Sequence, residues 1–215
     1  STLSSSSAAS DVYKRQRSLG VGHIAPVQLP AARLPYAARA NRLQHLAQGH
    51  AMAEYLLWAA ELAGAQQATA EALPLPEQEA AGLGAALQQH TQTPLHSAQW
   101  PRSAHWLALL DELLNRMTQQ PGMQTAAIRQ ALARLQQADA MQRQAWADAL
   151  LTALRSEALP DDAVLPEAGV AQLLWSALSL YWRQLASQLP AAGRAEPGEQ
   201  RHLCPVCGHV PTGSL

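Results

Sequence analysis

The chain has 215 residues, enough to bury a core, and 48% of them are hydrophobic, which sets it apart from disordered chains. Its 15 Lys and Arg are matched by 16 Asp and Glu for a net charge of −1, so nothing in the charge favours nucleic acid or an anionic membrane surface as a partner. The two cysteines stand only three positions apart, which excludes the disulfide framework of a small secreted fold and points to a reducing, cytoplasmic setting.

Residues 1–16 (STLSSSSAASDVYKRQ) lack an apolar period and the hydrophobic run of a signal peptide. They read as a disordered tail foreign to the fold, similar to translated adapter sequence at the end of a gene fragment. The helical domain is expected to span residues 17–189. Its opening stretch, GHIAPVQLPAARLP (22–35), carries three prolines and predicts an extended segment lying over the fold. A first helix is expected from Tyr36 to about Gln48, with Leu43 and Leu46 inward and Gly49 as its stop. A second spans roughly residues 51–67, with Met52, Tyr55, Leu56, Ala59 and Leu62 as its inward face. The LPLPEQ break at 73–78 is followed by an Ala/Leu-rich helix to about His90, then by a loop with two prolines at 91–102.

Ser103 is placed to cap a helix whose Trp106, Leu109, Leu110, Leu113, Leu114 and Met117 share one face. Beyond Pro121–Gly122 the same spacing returns in Ile128, Ala131, Leu132 and Leu135. Asp139 caps a further helix with Trp146, Leu150, Ala153 and Leu154 inward, and Pro160 ends it before 159–167. The last helix carries the longest stripe, Val170, Leu173, Leu174, Ala177, Leu178, Tyr181, Trp182, Leu185 and Leu189, of a width suited to the centre of a bundle. No run is long and apolar enough to span a membrane. The body therefore reads as an all-α bundle of about seven helices, with no internal repeat and no strand before residue 200. Residues 190–200 (PAAGRAEPGEQ) form a Pro/Gly-rich linker.

Residues 201–215 contain Cys204 and Cys207 in the pattern C-P-x-C-G. Two cysteines separated by two residues can place both sulfurs on one tetrahedral metal ion, and the glycine after them permits a turn whose N–H groups face the thiolates. This points to the first knuckle of a zinc-ribbon or rubredoxin-like region. A thioredoxin-type redox dithiol is the competing reading, but GHVPTG follows the second cysteine and cannot start the helix which that chemistry uses. A zinc-ribbon interaction module is a third possibility, though the dispersed basic residues disfavour nucleic acid. His202 and His209 each lie two residues from a cysteine, where ligation would crowd one short loop. The remaining histidines, 23, 45, 50, 90, 96 and 105, show no ligand spacing and are expected at helix ends or in solvent. The second pair of ligands is expected beyond Leu215, so this chain would bind iron or zinc weakly, or by pairing two chains as a homodimer.

Other templates fail: GxxxxGK[ST], GxGxxG and GxSxG are all absent. Glu54, Glu61, Asp111 and Glu112 are expected on solvated helix faces, and the six tryptophans (58, 100, 106, 146, 175, 182) mainly in core packing.

Five segments together, GHIAPVQLP, RANRLQHLAQGHAMAEYLLWAAELAGAQQ, HWLALLDELL, SLYWRQLASQLP and EQRHLCPVCG, resemble in order the FdhE family of formate dehydrogenase accessory proteins over about residues 20–211. The resemblance implies a cytoplasmic assembly factor, not itself an enzyme, that acts on the catalytic subunit of formate dehydrogenase during maturation. It also implies a helical N-terminal domain followed by further CxxC knuckles of a rubredoxin-like, iron-binding region. Only Cys204 and Cys207 carry over as metal ligands of that tetrathiolate site.

Overall fold

The computed structural model describes residues 34–89, 100–120, 125–154 and 163–189, together with positions 30, 95, 96, 204 and 206–208; of 84–89 and 154 it describes the backbone alone. The tail at 1–16, the extended segment at 22–29 and 31–33, the break at 155–162, the linker at 190–200 and residues 209–215 lie outside the described residues, as do His23, His90, His202 and His209.

Local chemistry sets most of the helix ends. Helix α1 (Tyr36–Ala47) stops before Gly49, whose φ of 69° places it in the left-handed region that glycine occupies without strain. Helix α2 (Ala53–Ala72) runs past the expected end, because Ala68, Ala70, Glu71 and Ala72 are good helix formers and no Gly or Pro interrupts them before Pro74. Helix α3 (Glu77–Gln89) opens with Glu77 and Glu79, carboxylates that suit the positive end of its dipole. Helix α4 (Ala104–Gln119) is capped by Ser103, whose Oγ accepts from the His105 N–H at 3.1 Å. Helix α5 (Ala126–Gln137) is capped in the same way by Thr125, which accepts from the Ile128 N–H at 3.3 Å. Asp139 accepts from the Gln142 N–H at 2.8 Å and starts α6 (Ala140–Leu154), and α7 (Ala168–Ser187) completes the set. The described residues thus form seven helices and no strand, the all-α architecture expected.

Helix α7 is the axis of the packing: it touches α2, α4, α5 and α6, while α1 lies along α2. Its Val170, Leu173, Leu174, Ala177, Leu178, Tyr181 and Leu185 are buried, and all six apolar residues of the α4 stripe are buried against them. At about 1.5–3 kcal/mol for each large side chain removed from water, these two stripes supply much of the driving force for folding. The ends of the long axis are set by three polar crosslinks. Gln66 Nε2 donates to the Ser176 carbonyl at 2.9 Å and to Ser179 Oγ at 3.3 Å, and Gln184 Nε2 donates to the Leu73 carbonyl at 2.7 Å. Position 66 facing 176–179 and 73 facing 184 means that α2 and α7 run in the same direction.

Several expected inward positions are corrected. Leu46, Met52 and Tyr55 are 43%, 55% and 52% exposed, so no described element packs over these apolar positions. The faces actually buried are Tyr36, Ala40 and Ala47 on α1 and Trp58, Leu62, Ala65 and Gln66, among others, on α2. Ala153 is exposed, while Trp146, Ala147, Leu150 and Leu151 form the inward face of α6. Glu61 is not simply solvated: one carboxylate oxygen is buried without a hydrogen-bond partner, and desolvation raises its pKa. The tryptophan expectation holds, since Trp58, Trp106 and Trp146 are buried and Trp100, Trp175 and Trp182 pack partly buried against the core.

Candidate metal centre

The turn that holds Cys204 and Cys207 is shaped by backbone chemistry. The Gly208 N–H donates to the Cys204 carbonyl at 2.9 Å, and Gly208 adopts φ 75°, a conformation that a side chain would strain. Neither cysteine is in a disulfide, and both are half-buried. The Cys204 thiol is pushed down to about 5, chiefly by a hydrogen bond from the Cys207 side chain. Partial burial opposes the shift, and the backbone N–H groups of Cys207 and Val206 add to it. Amide groups turned toward a sulfur are what a metal-ligating thiolate needs, because they stabilise its negative charge before any ion arrives. The turn thus favours the thiolate form of Cys204.

The knuckle is also seated on the helices. The Leu95 N–H donates to the Val206 carbonyl at 2.9 Å, and Val206, between the two cysteines, packs against the main core. Leu95 is itself fully buried, and its carbonyl accepts from Trp182 Nε1 at 3.2 Å. Beside Trp182 the Tyr181 ring stands edge-on at 5.4 Å, and the Tyr181 hydroxyl accepts from Trp100 Nε1 at 3.2 Å and from the Ser103 N–H at 3.4 Å. Ser103 Oγ in turn donates to Glu79. His105 Nε2 donates to Gln184 Oε1 at 2.9 Å, which occupies a histidine that the sequence placed at a helix end or in solvent. Leu95, Trp100, Ser103, His105, Tyr181 and Trp182 therefore converge on one end of the bundle. Periodicity assigns Tyr181 and Trp182 to the apolar stripe but gives no sign that they help to hold the knuckle. Gln66 and Gln184 were detectable in principle, as polar residues at core register positions.

Among the described residues no three His, Cys, Asp or Glu side chains come together as a metal site. The donor set is consequently the two thiols, which fit half of a tetrahedral thiolate centre and leave two positions to other ligands. Among those residues, too, no helix is long and apolar enough to cross a membrane.

Fold and site together define an all-α bundle bearing a preformed dithiol knuckle at one end. The family model described as "FdhE, N-terminal" matches residues 24–199. A protein named "Protein FdhE homolog" from Edwardsiella ictaluri (strain 93-146) is 39% identical over 201 residues, covering 94% of this chain and 61% of the relative. Its counterpart from Cronobacter sakazakii (strain ATCC BAA-894) is 36% identical over 192 residues, covering 89% and 58%. The crystal structure of the FdhE protein from Pseudomonas aeruginosa superposes with a TM-score of 0.65 at 33% identity, over 86% of this chain and 61% of that one. The chain belongs to the FdhE family, and it spans about three-fifths of the length of the relatives it matches.

Proposed function

We propose that this chain is the helical, client-binding part of a formate dehydrogenase accessory protein, a cytoplasmic assembly factor and not a catalyst, which binds the catalytic subunit during maturation. Membership of the FdhE family carries the reading, supported by a body whose polar crosslinks and buried stripes are structural and whose one concentrated piece of chemistry is the knuckle. In the longer protein Cys204 and Cys207 would supply two of four thiolates to an iron or zinc ion. Bound there, the ion would tie the knuckle to whatever carries the other ligands, either as a structural clamp or as a redox centre. Pull-down of the catalytic subunit of a formate dehydrogenase by this chain is the direct test. Failure to retain the subunit, with a chain of native helical circular dichroism, would sink the proposal.

A dithiol exchange role is the second reading, and the lowered acidity of Cys204 favours it, because the thiolate is the attacking species. The two readings part on turnover. Alkylation of Cys204 in metal-free protein should follow an apparent pKa near 5 in both cases. Only the exchange role predicts multiple turnovers of a disulfide substrate with a thiol reductant present. The linkage has a definite sign. A thiol held below its ordinary value stabilises the folded chain fully above that ordinary value, and the contribution is lost as pH falls through the alkaline and neutral range toward 5.

A further inference from the structure

Along their N-terminal halves α2 and α7 leave a groove of about 230 Å³ between them, at the end of the bundle away from the knuckle. Tyr55, Trp58 and Trp175 form its aromatic walls, Gln172 lies on the α7 side, and α1 contributes Arg39. The volume falls below the roughly 300–1,000 Å³ typical of sites for drug-sized molecules, so it suits one or two side chains of a peptide better than a cofactor. Other large apolar side chains near the start of α2 are exposed as well: Tyr55 and Met52 are more than half exposed, and Leu46 at the end of α1 is 43% exposed.

Two observations give the occupant its chemistry. Among the described residues Arg39 is the only charged side chain lining the groove; it is exposed, and it enters no salt bridge with any of them. With no carboxylate among the described lining residues, the groove is complementary to an acidic partner. Trp58, 7% exposed, has an indole N–H that is buried without a hydrogen-bond partner among the described residues, so this wall of the groove holds an unanswered donor. Anchoring of this kind, an apolar side chain between aromatic walls with a charge pair at the rim, is how short peptides reach useful affinity on small surfaces.

We propose that this groove receives an acidic peptide segment of the client, with one aromatic or aliphatic side chain between Tyr55 and Trp175 and a neighbouring Asp or Glu on Arg39. The proposal rests on the client-binding reading above and names its face. The test uses the full chain, intact catalytic subunit, and synthetic 15-residue peptides that tile that subunit. The tightest peptide is expected to be acidic and to lose at least tenfold in affinity against Arg39→Glu and against Tyr55→Ala, both at exposed positions that leave the helical spectrum intact. Replacing the peptide's carboxylate by Lys should weaken binding to the unaltered chain and restore it to Arg39→Glu. If the intact subunit binds both variants as well as it binds the unaltered chain, the groove is overturned while the accessory role stands. If the subunit binds none of them, both fail. A dimer in gel filtration that Tyr55→Ala dissociates would assign the groove to a second copy instead. Displacement of the client peptide by a synthetic copy of residues 22–30 would assign it to the chain's own segment. Either result overturns the proposal.

Discussion

The two ends of the α2–α7 pair are built from similar residues and reach opposite outcomes. At the C-terminal end, Tyr181 and Trp182 are held by a closed set of hydrogen bonds, and every donor named there has an acceptor. At the N-terminal end, Tyr55 and Trp58 stand beside each other with ring centroids 6.0 Å apart, yet one is half in water and the other keeps an unanswered N–H. Aromatic content alone does not make a core. What separates the ends is whether a third element arrives to close the layer: Leu95 and the knuckle do so at one end, and no described residue does so at the other.

Substitutions should reveal this asymmetry in order of size. Leu95→Ala removes a fully buried side chain that lies under both the knuckle and Trp182, and should cost about 2–5 kcal/mol in urea unfolding. A loss below about 1 kcal/mol, smaller than the ordinary range for a buried leucine, would mean that the sealed end is not sealed. Tyr181→Phe keeps the ring but strands the Trp100 and Ser103 donors, and should cost about 1–3 kcal/mol. Tyr55→Ala, by contrast, should change stability by about 0.5 kcal/mol or less, since the side chain is half exposed and serves no layer. A large loss there would erase the contrast between the ends. The smallest effect is expected at Glu61 on the same helix. Its raised pKa means that the folded chain favours the neutral acid, so stability is gained as pH falls through the carboxylate range and is missing at pH 7. Glu61→Gln should raise the melting temperature slightly at pH 7 and leave it unchanged in acid, where the native residue is already neutral.

The sequence was most legible where local chemistry and periodicity act together. Ser103 and Asp139 cap as their positions demand, Gly49 stops α1, and the α4 stripe is buried without exception. It misled at Met52 and Tyr55, because a 3.6-residue stripe states which face is apolar and is silent on whether a neighbour covers it. The cysteine spacing and the following glycine announced the knuckle's turn, and Gly208 has the positive φ this requires. The seat of the knuckle was not legible. Leu95 and Val206 are joined across more than half the chain by one backbone hydrogen bond, which leaves no trace in composition or period.

That hydrogen bond also makes Leu95 a reporter. Its amide proton is protected by an acceptor that belongs to the knuckle, while its carbonyl and side chain are secured by Trp182 and the core. When the knuckle lifts, this amide meets water while the leucine remains in place. Its hydrogen-exchange rate is therefore a clock for knuckle release alone, separable from unfolding of the helices beneath it. Any ion or partner that fastens Cys204 and Cys207 should slow that clock without touching the exchange of the α4 and α7 interiors.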